Sequence, residues 1–250
     1  MPENCPSGKL NLEQRLNTVV VRVRAAEAHY GRPTGSVQIL PVSKNHPAEL
    51  LEAVIGMSGS VENKAFAESY LQEAMEKMVA LAEFNICWHF IGPIQSNKTA
   101  AIAEHFQWVH SVDRLKIARR LSDQRPAEMP PLNICLQVNV SGESSKSGVG
   151  LDELMTLVEQ VAQLPRLRLR GLMAIPAATK DTQKQRAAFR KVREAFTLVK
   201  ENGVSNWTSE TRRFWDTLSM GMSGDLTAAI AEGSTIVRVG TGIFGPRLKK

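Results

Sequence analysis

Cysteine is scarce in this chain: Cys5, Cys87 and Cys135 are odd in number, far apart and in no CxxC spacing. That pattern excludes a disulfide scaffold and a thiolate metal site, and points to reduced thiols. No apolar run approaches the roughly 18 residues of a membrane-spanning helix. The opening MPENCPSGKL lacks the basic-then-apolar layout of an export signal, so a cytoplasmic protein is expected. HExxH, GxSxG and any His/Cys cluster with metal spacing are missing, which leaves a metal hydrolase without machinery. Aromatics are few, 6% of residues, and none interleaves with the densest basic stretch, RLRLR at Arg166–Arg170. Base stacking therefore has no platform, and this stretch reads as an ion-paired or solvated strand edge rather than a nucleic-acid stripe.

What is present is ordinary globular material, 43% apolar and 22% charged, with a net charge of 31 − 25 = +6 that favours an anionic partner. Leu12, Leu16, Val19, Val20 and Val23 recur at helical spacing, and Gly31 with Pro33 closes that segment. Short β-branched runs then alternate with longer amphipathic stretches. The strands are expected at Val37–Ser43, Asn63–Phe66, Ile86–Ile91, Trp108–Val112, Asn133–Val140, Leu167–Ile175, Trp215–Met220 and Thr235–Val239. Parallel strands need helical crossovers, and eight such strands close a ring. The expectation is α/β: one (β/α)₈ TIM-type barrel over residues 1–250 with an extra N-terminal helix. A doubly wound open sheet is the competitor, but no GxGxxG follows the first strand and nothing mid-chain reads as a domain linker.

In such a barrel the chemistry sits at the C-terminal ends of the strands, and the first ends in ILPVSKNHP with Lys44 at its mouth. Near the other terminus, strands end in GMSGD and VRVGTG. Small residues there let backbone N–H groups approach an anion, and Ser223 is placed to cap the next helix or to bind phosphate oxygen. Strands one and eight are neighbours in a closed ring, so a lysine amine would stand beside a phosphate grip. That is the layout of a site for pyridoxal 5′-phosphate (PLP), with Lys44 condensing with the aldehyde. Arg238, two residues before Gly240, would share the mouth and face the pyridine nitrogen without giving it a proton.

VSK (42–44), WHFIGPIQSNK (88–98), VHSVDR (109–114), LQVNVSGESSKSG (136–148), RGLMAIPA (170–177), LSMGMSGD (218–225) and VRVGTGIFG (237–245) together resemble the pyridoxal phosphate homeostasis protein family, in order over nearly the whole chain. The resemblance implies a barrel similar to that of alanine racemase, with PLP held as an internal aldimine on Lys44. It places Arg238 at the pyridine ring and Ser223, Gly240 and Thr241 at the phosphate. It further implies a monomer that keeps vitamin B6 in balance, delivers PLP to PLP-requiring apo-enzymes and has no established turnover. His89 is open between a core histidine and a wall of the cofactor pocket. Met173 and Asn139 end strands and are open between a packed methionine or polar strand end and a lining of the same mouth, and Lys146 is open between a solvated loop lysine and a group at its rim.

The chain departs from the family pattern in GMSGSVENKAFAES, about four residues longer than usual, where Ala67 replaces glycine and Ser69 is a candidate contact; alanine resists positive φ, so the loop geometry is expected to differ here. The alternative function is a PLP-dependent amino-acid racemase or decarboxylase. Racemisation by two bases needs a second acid/base opposite the lysine, and the two tyrosines, Tyr30 and Tyr70, are not obviously placed to supply it.

Overall fold

The computed structural model describes residues 7–57, 64–141, 147–203, 207–208 and 212–246. Its strands are β1 (Gln38–Pro41), β2 (Ala65–Glu68), β3 (Cys87–Phe90), β4 (Trp108–Val112), β5 (Leu132–Val138), β6 (Leu167–Ala174), β7 (Thr217–Ser219) and β8 (Ile236–Val239). All pair in parallel, in the order β1-β8-β7-β6-β5-β4-β3-β2. The ring closes just beyond β1, where Val42 bridges Ala67 and the Ser43 N–H donates to the Ala67 carbonyl at 3.0 Å. Between the strands lie α2 (Ala48–Ile55), α3 (Leu71–Ala80), α4 (Thr99–His105), α5 (Leu115–Gln124), α6 (Leu154–Val161), α7 (Thr182–Asn202) and α8 (Leu226–Ala231), with α9 (Thr241–Phe244) after β8. This is the expected (β/α)₈ barrel, with strand ends shifted by a few residues.

The extra helix, α1 (Ser7–His29), precedes β1. Leu12, Leu16, Val19, Val23 and Ala26 form its buried stripe, and it packs on α8 and α9. Its C-terminal turn is tied to the start of β1 by Glu27, which is fully buried, pairs with Arg24 at 2.8 Å and accepts the N–H of Val37 at 2.7 Å. Among the described residues no helix is long and apolar enough to cross a membrane.

Because both faces of a barrel wall are covered, each strand feeds two cores. Phe66, Trp88, Phe90, Val109, Ile134 and Leu136 face the helices, where each fully buried side chain contributes about 1.5–3 kcal/mol. Leu40, Val42, Ala65, Ala67 and Ile236 form the inner cluster, against which Cys87 and Ile91 pack. Ala67 lies inside β2, paired with His89, and is not among the positive-φ residues. Alanine is therefore accommodated without strain where the family usually has glycine, and its methyl group joins the inner packing. The preceding link falls at Ser58–Asn63, outside the described residues.

The lower end of the barrel explains the RLRLR stretch. Arg170 pairs with Asp216 at 2.6 Å, donates to Asn133 Oδ1 at 3.0 Å and lies 4.5 Å over the Trp108 ring. Arg166 donates to the carbonyls of Ser122 and Asp123, and Arg168 stacks over Phe214. The charges serve as plugs and caps of the barrel floor.

Candidate functional site

Side chains alternate across a strand, so Val42 turns inward, Ser43 outward and Lys44 inward again at the C-terminal end of β1. Lys44 lines a cavity of about 250 Å³ with Val42, His46, Ser69, Ile91 and Ile175 on one part of its wall. Met222, Ser223, Gly224, Arg238, Gly240 and Thr241 complete it. Residues nearly 200 positions apart are thus joined because β1 and β8 are hydrogen-bonded neighbours, with Leu40 opposite Arg238.

Arg238 is buried, 3% exposed, and donates to the Ser219 carbonyl (2.5 Å), the Ser219 hydroxyl (2.9 Å) and the Ala174 carbonyl (3.0 Å). Burial pushes its pKa down to about 10, opposed by the nearby Asp225, so the guanidinium stays charged at neutral pH. Burial pushes Asp225 up, and its Oδ1 accepts the Met222 N–H at 2.6 Å, closing the turn after β7. Asp225, not Ser223, occupies the N-cap of α8, whose first residue is Leu226. The Ser223 hydroxyl instead accepts the Gly242 N–H at 3.2 Å, which fastens the loop after β7 to the loop after β8. Among the described residues the N–H groups of Ser223, Gly224 and Thr241 meet no acceptor in the chain. Three N–H donors and two hydroxyls at one rim, with a buried cation below, are the donor set that suits a phosphorylated ligand. A Cβ on Gly240 would come within 3.2 Å of the Val42 carbonyl, so glycine keeps the end of β8 close to the segment that carries Lys44.

Below Arg238 a hydrogen-bond chain runs down the barrel interior. Arginine only donates, which leaves the Ser219 hydroxyl hydrogen to donate to His110 Nδ1 at 2.7 Å. His110 Nε2–H then donates to His89 Nδ1 at 2.9 Å, and His89 Nε2–H reaches Cys87 Sγ at 3.6 Å. Both imidazoles are neutral. Burial pushes His89 down to about 3, while burial and the Arg238 charge hold His110 well below the usual histidine range. His89 also stacks on Trp108 at 5.3 Å, so the chain stands on the floor described above.

Of the residues singled out in the sequence, the structure brings Lys44, Ser223, Arg238, Gly240 and Thr241 to the cavity, and Ser69 with them. Ser69 is held close by its neighbour: a Cβ on Gly92 would meet the Ser69 carbonyl at 2.0 Å. His89 and Met173 are not on the cavity wall; both are buried, His89 as the third member of the chain and Met173 in β6 opposite Ser219. Lys146 lies outside the described residues. Tyr70 follows Ser69 but is 52% exposed, and neither it nor Tyr30 lines the cavity. Sequence reasoning missed His46, which lines the cavity and stacks on Phe244 at 5.1 Å, and the His110–Ser219 link. His110 stands within VHSVDR, one of the stretches that carry the resemblance, and His46 lies two residues beyond VSK, outside them.

A barrel with a lysine just past its first strand, facing a buried arginine on its last and a rim of N–H and hydroxyl donors, defines a class, and the alanine racemase N-terminal domain family matches residues 16–247. Within that class, the chain belongs to the pyridoxal phosphate homeostasis protein family. It is 53% identical over 236 residues to the pyridoxal phosphate homeostasis protein of Pseudomonas aeruginosa, covering 94% of this chain and 96% of that one. Among solved structures it is similar to an unknown protein from Bifidobacterium adolescentis, with TM-score 0.85, 31% identity and 98% of each chain covered. It is also similar to PipY of Synechococcus elongatus, solved with PLP bound, with TM-score 0.73, 33% identity, and 89% of this chain and 98% of that chain covered.

Proposed function

We propose that this protein binds PLP reversibly and serves intracellular vitamin B6 balance as a monomeric, cytoplasmic carrier without turnover of its own, handing PLP to apo-enzymes that require it. One observation carries the reading: Lys44, Arg238 and the Ser223/Gly240/Thr241 rim share one cavity. The PLP-bound structure of PipY and the names of the curated relatives support it.

Lys44 Nζ is the amine that takes the aldehyde. Ser223, Gly240 and Thr241, with the N–H groups around them, hold the phosphate. Arg238 would face the pyridine nitrogen of bound PLP and, as a donor that keeps its protons, would leave that nitrogen unprotonated. His89 acts from below, through His110 and Ser219, whose hydroxyl and carbonyl accept from the Arg238 guanidinium. When bound, PLP supplies an aldehyde that exchanges between amines, and a ring that is a poor electron sink unless its nitrogen is protonated. Exchange is therefore favoured over carbanion chemistry. Among the described residues, the ionisable side chains on the wall are Lys44, His46 and Arg238.

The experiment is incubation of the PLP-loaded protein with L-alanine, following both absorbance and chirality. The expected result is displacement of PLP from the lysine with the alanine recovered as the L-enantiomer and not decarboxylated. Racemised or decarboxylated amino acid would establish an enzyme instead.

A further inference from the structure

The chain on either side of Lys44 is held from behind the barrel wall. Ser43 is fully buried, and its hydroxyl donates to Glu68 Oε1 at 2.6 Å. Lys77, on α3 and only 5% exposed, donates to Glu68 Oε1 at 2.6 Å, Glu73 Oε1 at 2.7 Å and the Ser43 carbonyl at 2.7 Å. Glu73 Oε1 in turn accepts the N–H of Asn45 at 2.6 Å. The Ser43 carbonyl belongs to the peptide unit entering Lys44, and the Asn45 N–H to the one leaving it. With both planes tied to one ion cluster, the Cα–Cβ direction of Lys44 has little freedom left.

The arrangement is costly. Two carboxylates share one ammonium, Glu68 is fully buried, and its Oε2 has no hydrogen-bond partner among the described residues. Asn45 is held at φ 61°, in the left-handed region that asparagine tolerates better than most side chains. A buried ion cluster contributes weakly to fold stability, because desolvation offsets the attraction. Strain and an orphaned oxygen gathered around one lysine are what a functional constraint on the backbone would leave.

We infer that the Glu68–Lys77–Glu73 cluster, bound to the peptide units on both sides of Lys44, is the positioning device that aims the Lys44 amine into the cavity. The inference rests on the function proposed above; none of the three residues lines the cavity, so they act through Lys44 rather than on the ligand.

Glu73 is the member to change, since its side chain is 22% exposed and its loss strands no fully buried charge beside Lys77, which keeps Glu68. Two probes separate aim from fit: PLP, which can condense with the lysine, and pyridoxamine 5′-phosphate, which offers the same ring and phosphate but no aldehyde. Glu73→Ala is expected to slow condensation of PLP about tenfold, the scale of a small misplacement of a reacting group. Affinity for pyridoxamine 5′-phosphate should stay within about twofold, as for a substitution outside the contact surface. Glu73→Gln, whose amide oxygen still accepts the Asn45 N–H, should recover most of the rate. Equal losses for both probes, no loss for either, or Gln no better than Ala would overturn the positioning role. A wild-type protein that binds pyridoxamine 5′-phosphate but never links PLP would instead overturn the proposed function.

Discussion

Lys44→Ala is expected to remove all covalent attachment of PLP while leaving the barrel folded. The wild-type protein incubated with PLP should show an absorbance band near about 420 nm, the region of a protonated lysine–PLP condensation product, and the variant only the spectrum of the free aldehyde. The effect is complete rather than graded because no other amine stands on the described cavity wall: the other cations there are a guanidinium and an imidazole. Affinity for pyridoxamine 5′-phosphate should fall far less, since in the proposed site its anchor is the rim formed by Ser223, Gly240 and Thr241. Folding is not at risk. Lys44 is half-buried and follows rather than belongs to β1, and the closing bond from the Ser43 N–H to Ala67 involves backbone alone. A variant that kept the band would show that another residue holds the aldehyde.

Acid should unfold the protein through its two interior histidines. His89 is pushed down to about 3 and His110 well below the usual range by burial, so each is neutral in the folded chain. Unfolded, both take protons near pH 6.5, so the folded state binds fewer protons than the unfolded state below that pH. Stability is thus intact above about pH 6.5 and is lost as pH falls, by up to about 1.4 kcal/mol per pH unit for each histidine. The charge facing them is Arg238, itself a cation, and the remaining neighbours in the chain are the Ser219 hydroxyl and the Cys87 thiol, so nothing there offsets the protons. Urea unfolding at pH 7 and pH 5 should show the loss. In His110→Gln, whose amide can still accept from Ser219 and donate to His89, the pH-dependent part should shrink by roughly half. An unchanged pH dependence in that variant would mean that surface carboxylates, not the interior chain, set the acid limit.

The fold was legible because parallel strands buried on both faces read as short apolar runs, and Trp108–Val112 matches to the residue. Where boundaries slipped, tertiary contacts were the cause. The second strand is expected to end at Phe66, two residues short of Glu68. In the fold it ends at Glu68, because Lys77 comes over from α3 to neutralise that carboxylate. That Ser223, Gly240 and Thr241 come to one cavity with Lys44 was readable for a local reason, as glycines, serine and threonine at strand ends are recognisable by residue type. The interior chain was not. His89, His110 and Ser219 sit on three different strands, and only the register of the barrel sets His110 within 2.9 Å of His89 and 2.7 Å of Ser219. The same is true of the clamp behind Lys44, where Glu73–Lys77 is visible as a helical pair but its hold on Ser43 and Asn45 is not.

The central claim is that Lys44 is the residue that holds PLP. The most direct test is borohydride reduction of the PLP-loaded protein followed by peptide mapping by mass spectrometry. The account predicts one phosphopyridoxyl group, on the peptide containing Lys44. A label confined to another lysine, or protein that remains unlabelled at saturating PLP, would contradict it.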